Sequence, residues 1–191
     1  QNFNKLKNTV LFAGSNAHVD EFKCLNTLEK ICIKEKSSLN IIYRPHPWSN
    51  AGFKGQRFKN KKWEKLQIDE NLKNYLNSIG SKGSKINLPR QEDTYYTLGK
   101  SNITISPLST IILETIVSGR VAIAYIPYEK GNKYFDQLFS KHYHFTEMLD
   151  RNFLPVCKNS NEIFLMLDKL QNFDEYMKYF TKQQKFLKNY I

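Results

Sequence analysis

Four short runs constrain this chain most: Thr9-Val-Leu-Phe-Ala13, Leu39-Asn-Ile-Ile-Tyr43, Asn102-Ile-Thr-Ile-Ser106 and Val121-Ala-Ile-Ala-Tyr125. Each is rich in β-branched, aromatic or small apolar side chains, and none contains a charge. Near-continuous apolar runs of this length fit strands buried on both faces, as in parallel sheets covered by helices. Between the runs lie segments of helical spacing. Asp20 stands where it can cap a helix bearing Phe22, Leu25, Leu28, Ile31 and Ile33. Ile68 to Ile79 reads as a helix, followed by the breaker Gly80-Ser-Lys-Gly83. Asp93 is placed to cap a helix through Leu98, and Ser109 or Thr110 to cap one that Gly119 ends. Ser160 is placed to cap a helix through Leu170, and the tail from Asp174 is amphipathic. Weaker strands are expected at Lys85–Pro89 and Phe153–Cys157. The alternation predicts an α/β, Rossmann-like open parallel sheet of about six strands with helices on both faces.

The 191 residues suffice for one domain with a buried core. We expect an N-terminal extension or linker over 1–7, the Rossmann-like domain over 8–170 and a helical tail over 171–191. No apolar run approaches the roughly 18 residues of a membrane span. No signal peptide is evident, so a cytoplasmic protein is expected, with the inner face of the membrane as a compatible location. Because the chain opens at Gln1 rather than Met, it is expected to be part of a longer protein.

The net charge is +11, from 29 Lys and Arg against 18 Asp and Glu, yet only five of the basic residues are Arg. Readers of nucleic acid lean harder on Arg for bidentate contacts, so the excess fits a Lys-rich solvated surface or an anionic acceptor better. Cys24, Cys32 and Cys157 show neither metal spacing nor a disulfide framework, and read as reduced packing residues.

In an open parallel sheet, ligands bind outside the carboxyl ends of the strands. The first strand ends in Gly14-Ser15-Asn16-Ala17-His18, small enough for backbone N–H groups to approach a phosphate, or simply to turn. The second ends in Arg44-Pro45-His46-Pro47, where two prolines fix the backbone and set the imidazole before any ligand arrives. The third ends in Ser106-Pro-Leu-Ser109-Thr110, whose hydroxyls meet the start of a helix. Glu114 lies one turn further, among Ile111, Ile112, Leu113, Ile116 and Val117, where a carboxylate needs a partner such as ribose hydroxyls. The stretch Ile126–Gly131 either packs on a base or turns the chain. His142 and His144 lack a completing carboxylate and read as loop histidines; no metal is expected. Walker, GxSxG and GxGxxG patterns are absent.

With these residues in place, the chain resembles the C-terminal, nucleotide-binding half of GT-B glycosyltransferases of bacterial capsule and surface-polysaccharide synthesis. That group includes Kdo transferases, sialyltransferases and CDP-glycerol glycerophosphotransferases. His46-Pro47 matches its His-Pro motif and Ser109-Thr110 its Ser/Thr motif. Asp93, Tyr96, Leu98, Ser101, Ile105-Ser106, Glu114 and Gly119 resemble the same block, and the similarity covers most of 8–170. The resemblance implies that His46, Arg44, Ser109, Thr110 and Ser15 face donor phosphates and that Glu114 holds the ribose. It implies a CMP- or CDP-linked donor as substrate and no cofactor. It implies an anionic glycan or lipid-linked acceptor, peripheral membrane association and an N-terminal GT-B domain. The catalytic base would lie on that other domain, so the catalytic residue is unassigned here and this fragment alone is expected to be inactive.

Two other readings compete. A UDP-sugar 2-epimerase shares the fold but places an acidic-Ser-Gly-Gly run where this chain has Ile105-Ser-Pro-Leu-Ser-Thr110. A non-enzymatic module would use Lys54–Trp63, with bases interleaved by Phe58 and Trp63, to bind nucleic acid or an acidic surface.

Overall fold

The computed structural model describes residues 8–15, 19–46, 57–73, 90–127, 149 and 152–189. Six described strands form one sheet: β1 (Thr9–Ala13), β2 (Asn40–Arg44), β3 (Leu66–Ile68), β4 (Ile103–Ser106), β5 (Val121–Tyr125) and β6 (Val156–Cys157). Every pairing is parallel, in the order β3-β2-β1-β4-β5-β6. The helices are α1 (Glu21–Lys34), α2 (Gln91–Leu98), α3 (Ile111–Val117), α4 (Ser160–Lys169) and α5 (Phe173–Lys188). The Rossmann-like α/β expectation is met.

Strand geometry divides the core. Val10, Phe12, Ile41 and Tyr43 cluster with Leu25 and Leu28 of α1 and with Ile163 and Leu167 of α4. Their alternate neighbours Leu11, Ala13 and Ile42 meet Leu98 of α2 and Ile111 of α3. The four apolar runs are continuous because both sides of these strands are covered. Cys24, Cys32 and Cys157 are free and buried within this core.

β3 departs from expectation. Ile68 closes a strand rather than opening a helix, and helical backbone begins at residue 70. Three residues carry too little periodicity to announce a strand; pairing of Leu66 with Ile41 and of Ile68 with Tyr43 supplies the missing stabilisation. The strand expected at Lys85–Pro89 lies outside the described residues.

The helix starts also differ in detail. Asp20 caps α1 as expected, accepting the Lys23 N–H at 3.0 Å. Asp93 is no cap: α2 begins at Gln91 with Arg90 at the N-cap, which places Asp93 inside the first turn. Asn159, not Ser160, caps α4, accepting the Glu162 N–H at 3.0 Å. Ser160 is freed for a different task, donating to the Cys24 carbonyl at 2.9 Å and tying α4 to α1. Gly119 does end α3, at a positive φ of 69° that a side chain would resist.

Two polar side chains hold elements that apolar packing alone would leave loose. Glu29 of α1 receives the backbone N–H groups of Glu64 and Lys65, at 2.8 and 3.0 Å, and the Lys61 ammonium. It thereby pins the entry to β3 onto α1. Gln183 of α5 is fully buried, accepting the Ala122 N–H at 2.9 Å and donating to the Ala122 carbonyl at 2.8 Å. The reason lies in the sheet. Ala124 and Ile126 point their N–H groups at Pro155 and Cys157, but Ala122, of the same parity, lies ahead of β6. The Gln183 amide takes the place of the missing strand residue and draws α5 into the core beside Tyr176 and Phe186.

Candidate functional site

The strand order reverses direction between β1 and β4, and the crevice beyond their carboxyl ends is where such sheets bind ligands. Three of the expected loops open there. β1 runs into Gly14-Ser15, β2 into Pro45-His46, and β4 into Pro107-Leu-Ser109-Thr110. Asn16, Ala17, His18 and Pro47 lie outside the described residues, as do His142, His144 and Tyr128–Gly131.

β1 and β2 end in close contact. The Gly14 N–H donates to the Arg44 carbonyl at 2.8 Å. A Cβ on Gly14 would stand 2.6 Å from Glu21 Oε2 and 3.0 Å from the His46 backbone nitrogen, so glycine is required there by space, not by φ. Ser15 is 2% exposed, and its N–H donates to Glu21 Oε1 at 2.8 Å. That N–H is therefore already bonded, and Ser15 forms the floor of the crevice.

Arg44 is anchored as well. Its Nη2 donates to Thr94 Oγ1 of α2 at 2.8 Å, and its Nε lies 3.9 Å from Asp69 Oδ2. Asp69 is 2% exposed, receives the Thr97 hydroxyl at 2.7 Å, and donates its own N–H to the Tyr43 carbonyl at 2.8 Å. Burial lowers the Arg44 pKa from its ordinary value, against the pull of Asp69, Glu114 and Asp93. Arg44 remains a cation at any ordinary pH. It reaches the site as fixed positive charge that acts on both His46 and Glu114.

His46 is half-buried, and its pKa lies below the ordinary histidine value, first because of burial and then because of Arg44. A neutral imidazole offers one donor and one acceptor; an arriving phosphate would draw its pKa back up.

On the β4 side, Thr110 stands at the N-cap position of α3 but makes no side-chain cap bond. Ser109 Oγ instead lies 3.3 Å from Ser106 Oγ, whose own bond goes to the Pro107 carbonyl at 2.8 Å. The expected cap is absent: Thr110 already has helical φ and ψ rather than the extended backbone of a capping residue. Thr110 is exposed and Ser109 half-buried, at the start of a two-turn helix. Glu114 is half-buried rather than enclosed, and among the described residues no hydrogen bond to its carboxylate is present.

Sequence reasoning missed Glu21, Asp69, Thr94 and Thr97, which brace the crevice from behind. Asp69 follows β3 and Glu21 opens α1 without any motif, and only the fold brings them to the strand ends. The basic stretch departs from the nucleic-acid reading. Phe58 is 4% exposed and stacks on Tyr43 with centroids 4.3 Å apart, and Trp63 stacks on Phe58 and donates to its carbonyl. Arg57 lies over Phe22 and pairs with Asp20, while Lys61 covers Trp63 and meets Glu29. The aromatics of 57–63 thus face the core and present no outward stacking platform. Lys54–Gln56 lie outside the described residues.

No protein-family model and no curated protein matches the chain. Solved structures do. The C-terminal CMP-Kdo-binding domain of WaaA from Acinetobacter baumannii is 13% identical, with a TM-score of 0.56 over 95% of this chain and 90% of that one. A variant of the wall teichoic acid polymerase TagF is 13% identical, with a TM-score of 0.57 over 94% of this chain and 38% of that one. A putative UDP-N-acetylglucosamine 2-epimerase from Listeria monocytogenes is 12% identical, with a TM-score of 0.52 over 90% of this chain and 38% of that one. The chain thus spans nearly all of an isolated nucleotide-binding domain and little more than a third of the longer proteins. With its strand order, parallel pairing and these likenesses, it has the Rossmann-like α/β fold of a GT-B half-domain.

Proposed function

We propose that this chain is the donor-binding domain of a GT-B glycosyltransferase in bacterial surface-polysaccharide synthesis, holding a CMP- or CDP-linked sugar or polyol donor. The observation that supports this reading is the placement of these residues after the strand ends of one parallel sheet with a switch point between β1 and β4. His46 follows β2, Ser109 and Thr110 follow β4, and Glu114 lies one turn into α3, with Arg44 acting electrostatically on both His46 and Glu114. In this reading His46 and the two hydroxyls hold the donor phosphate, and Glu114 accepts hydrogen bonds from the ribose. Arg44 supplies charge from a braced position, and Ser15 shapes the floor. Such groups stabilise the leaving nucleotide by fixed placement, without reorganisation at the moment of transfer. The base and the acceptor site belong to an N-terminal domain of the same protein. The acceptor is an anionic glycan or lipid-linked chain at the inner face of the membrane. Among the described residues no helix is long and apolar enough to cross a membrane.

Calorimetric titration of the chain with CMP, CDP and UDP tests this. Binding of a cytidine nucleotide is expected, with His46→Ala and Glu114→Gln each weakening it about tenfold or more, roughly one charge-assisted hydrogen bond. No binding at millimolar nucleotide, or no change in either variant, would refute the reading. The likeness to the epimerase keeps one alternative concrete: preference for UDP, with epimerised product from the longer protein, would favour it over glycosyl transfer.

A further inference from the structure

The outer face of α5 is basic and holds a cavity that the donor crevice does not use. Tyr176, Gln183 and Phe186 turn into the core, while Lys178, Lys182 and Lys185 recur at helical spacing on the exposed side. From 176 to 191 the sequence carries four lysines and no Asp or Glu. Lys178 lies 3.9 Å from Glu175. Lys182 and Lys185 instead line an open cavity of about 390 Å³ with Asn152, Asn189, Phe153 and Phe186. Asn152 and Phe153 precede β6, so the cavity lies toward the amino ends of the strands, away from the crevice. Asp150 and Arg151 lie outside the described residues.

Among the described residues, no hydrogen bond or ion pair engages the side chains of Asn152, Lys182, Lys185 or Asn189. Helix electrostatics account for Lys185 and Lys188, which stand in the last turn, but not for Lys182 a turn earlier. A φ of 51° accounts for an asparagine at 152, whereas Asn189, at φ −88°, needs no such residue. The lining therefore combines two ammonium groups, which attract carboxylate or phosphate, with two amides, which both donate to and accept from hydroxyls. The volume lies within the roughly 300–1,000 Å³ of small-ligand sites. A bilayer surface would call for charge alone. A single-stranded nucleic acid would call for an exposed stacking ring, and Phe153 and Phe186 are only 4% and 8% exposed.

We propose that this cavity is a second binding site, for a unit of an anionic glycan, with Lys182 and Lys185 meeting its charge and Asn152 and Asn189 its hydroxyls. The inference deepens the reading above, which takes an anionic glycan as acceptor, and rests on it for that ligand's place in the reaction.

Calorimetric titration of the chain with a hexamer of α-1,4-linked galacturonate, at pH 7 and one fixed salt concentration, tests it. The hexamer is expected to bind, and neutral maltohexaose is not. Lys182→Gln and Lys185→Gln together should weaken binding about tenfold or more. Asn152→Gly keeps the turn but removes the amide, and should weaken binding about threefold with unchanged salt dependence. All of these side chains are exposed, so the variants should keep the native unfolding midpoint. No binding at millimolar hexamer, or full affinity in the double lysine variant, overturns the inference. Tighter binding of an oligothymidylate of equal charge or of phosphatidylglycerol vesicles, with Asn152→Gly unaffected, would make this a general polyanion surface and overturn the glycan assignment. CMP affinity, measured on the same samples, should not change in these variants, and failure of CMP to bind refutes the donor-site reading alone.

Discussion

Replacing Gln183 by Met isolates the contribution of a single side-chain amide to the sheet. Methionine keeps the length and much of the volume of glutamine but has neither donor nor strong acceptor. The native amide bonds both the N–H and the carbonyl of Ala122, at 2.9 and 2.8 Å, and is fully buried. With the amide gone, β6 still starts too late to reach Ala122, and water has no access to a side chain with zero exposure. Each orphaned group costs about 1–3 kcal/mol, so the loss should total about 2–6 kcal/mol. Against a typical stability of about 5–15 kcal/mol, that is a large fraction. Urea denaturation followed by circular dichroism measures it, with the midpoint falling and the slope unchanged. Because α5 lies against β5 and α3, nucleotide affinity of the folded fraction should stay within about twofold. A stability loss under about 1 kcal/mol would refute the claim that Gln183 substitutes for a strand residue.

Three further outcomes are expected. Gly14→Ala forces a Cβ into Glu21 Oε2 and the His46 nitrogen, so it should cost about 1–3 kcal/mol in thermal or urea unfolding and weaken nucleotide binding, although its φ is compatible with alanine. Glu29→Gln should flatten the acid limb of stability. Burial would raise the Glu29 pKa, but the bonds from Lys61, Lys65 and Glu64 outweigh it and hold it below the ordinary value. Its stabilisation is therefore present above the unfolded pKa, about 4.5, and is lost as pH falls through the folded one, as urea midpoints between pH 6 and pH 3 would show. The native thiols should resist a disulfide reagent at pH 8 and react on unfolding. Burial pushes Cys24 up to about 11 and Cys157 to about 12, leaving almost no thiolate.

How far the sequence carried the reading depended on whether the signal was local. The runs at Thr9–Ala13 and Val121–Tyr125 are legible because both faces of each strand are buried, so no polar residue interrupts them. Asp20 and Gly119 are legible because capping chemistry is settled within one turn. Leu66–Ile68 is not, since three residues hold no period and their conformation comes from pairing with β2. Ser160 misleads for a related reason: Asn159 beside it caps equally well, and only the distant Cys24 carbonyl decides which residue does what. The same limit applies to the site. His46, Ser109 and Thr110 could be read because they follow strands, whereas the bonds from Tyr43 to Glu21, Thr97 to Asp69 and Arg44 to Thr94 span 22, 28 and 50 positions in sequence.

The last two residues of β2 explain why His46 is so firmly placed. Successive strand residues point to opposite faces, so Tyr43 and Arg44 engage different layers. Tyr43 turns toward α1, where its hydroxyl meets Glu21, and Phe58 stacks on its ring. Arg44 turns toward α2, where it meets Thr94 and faces Asp69. The backbone of β2 is thus braced from both sides immediately before Pro45, and Gly14 holds its end by a bond to the Arg44 carbonyl. Loosening one brace should displace the imidazole less than loosening both. Tyr43→Phe and Thr94→Val should each weaken nucleotide binding modestly, about two- to threefold, while the double variant should lose more than the product of the two. Simple additivity in a double-mutant cycle would mean that the braces act independently, and no loss in either variant would mean that His46 is placed without them.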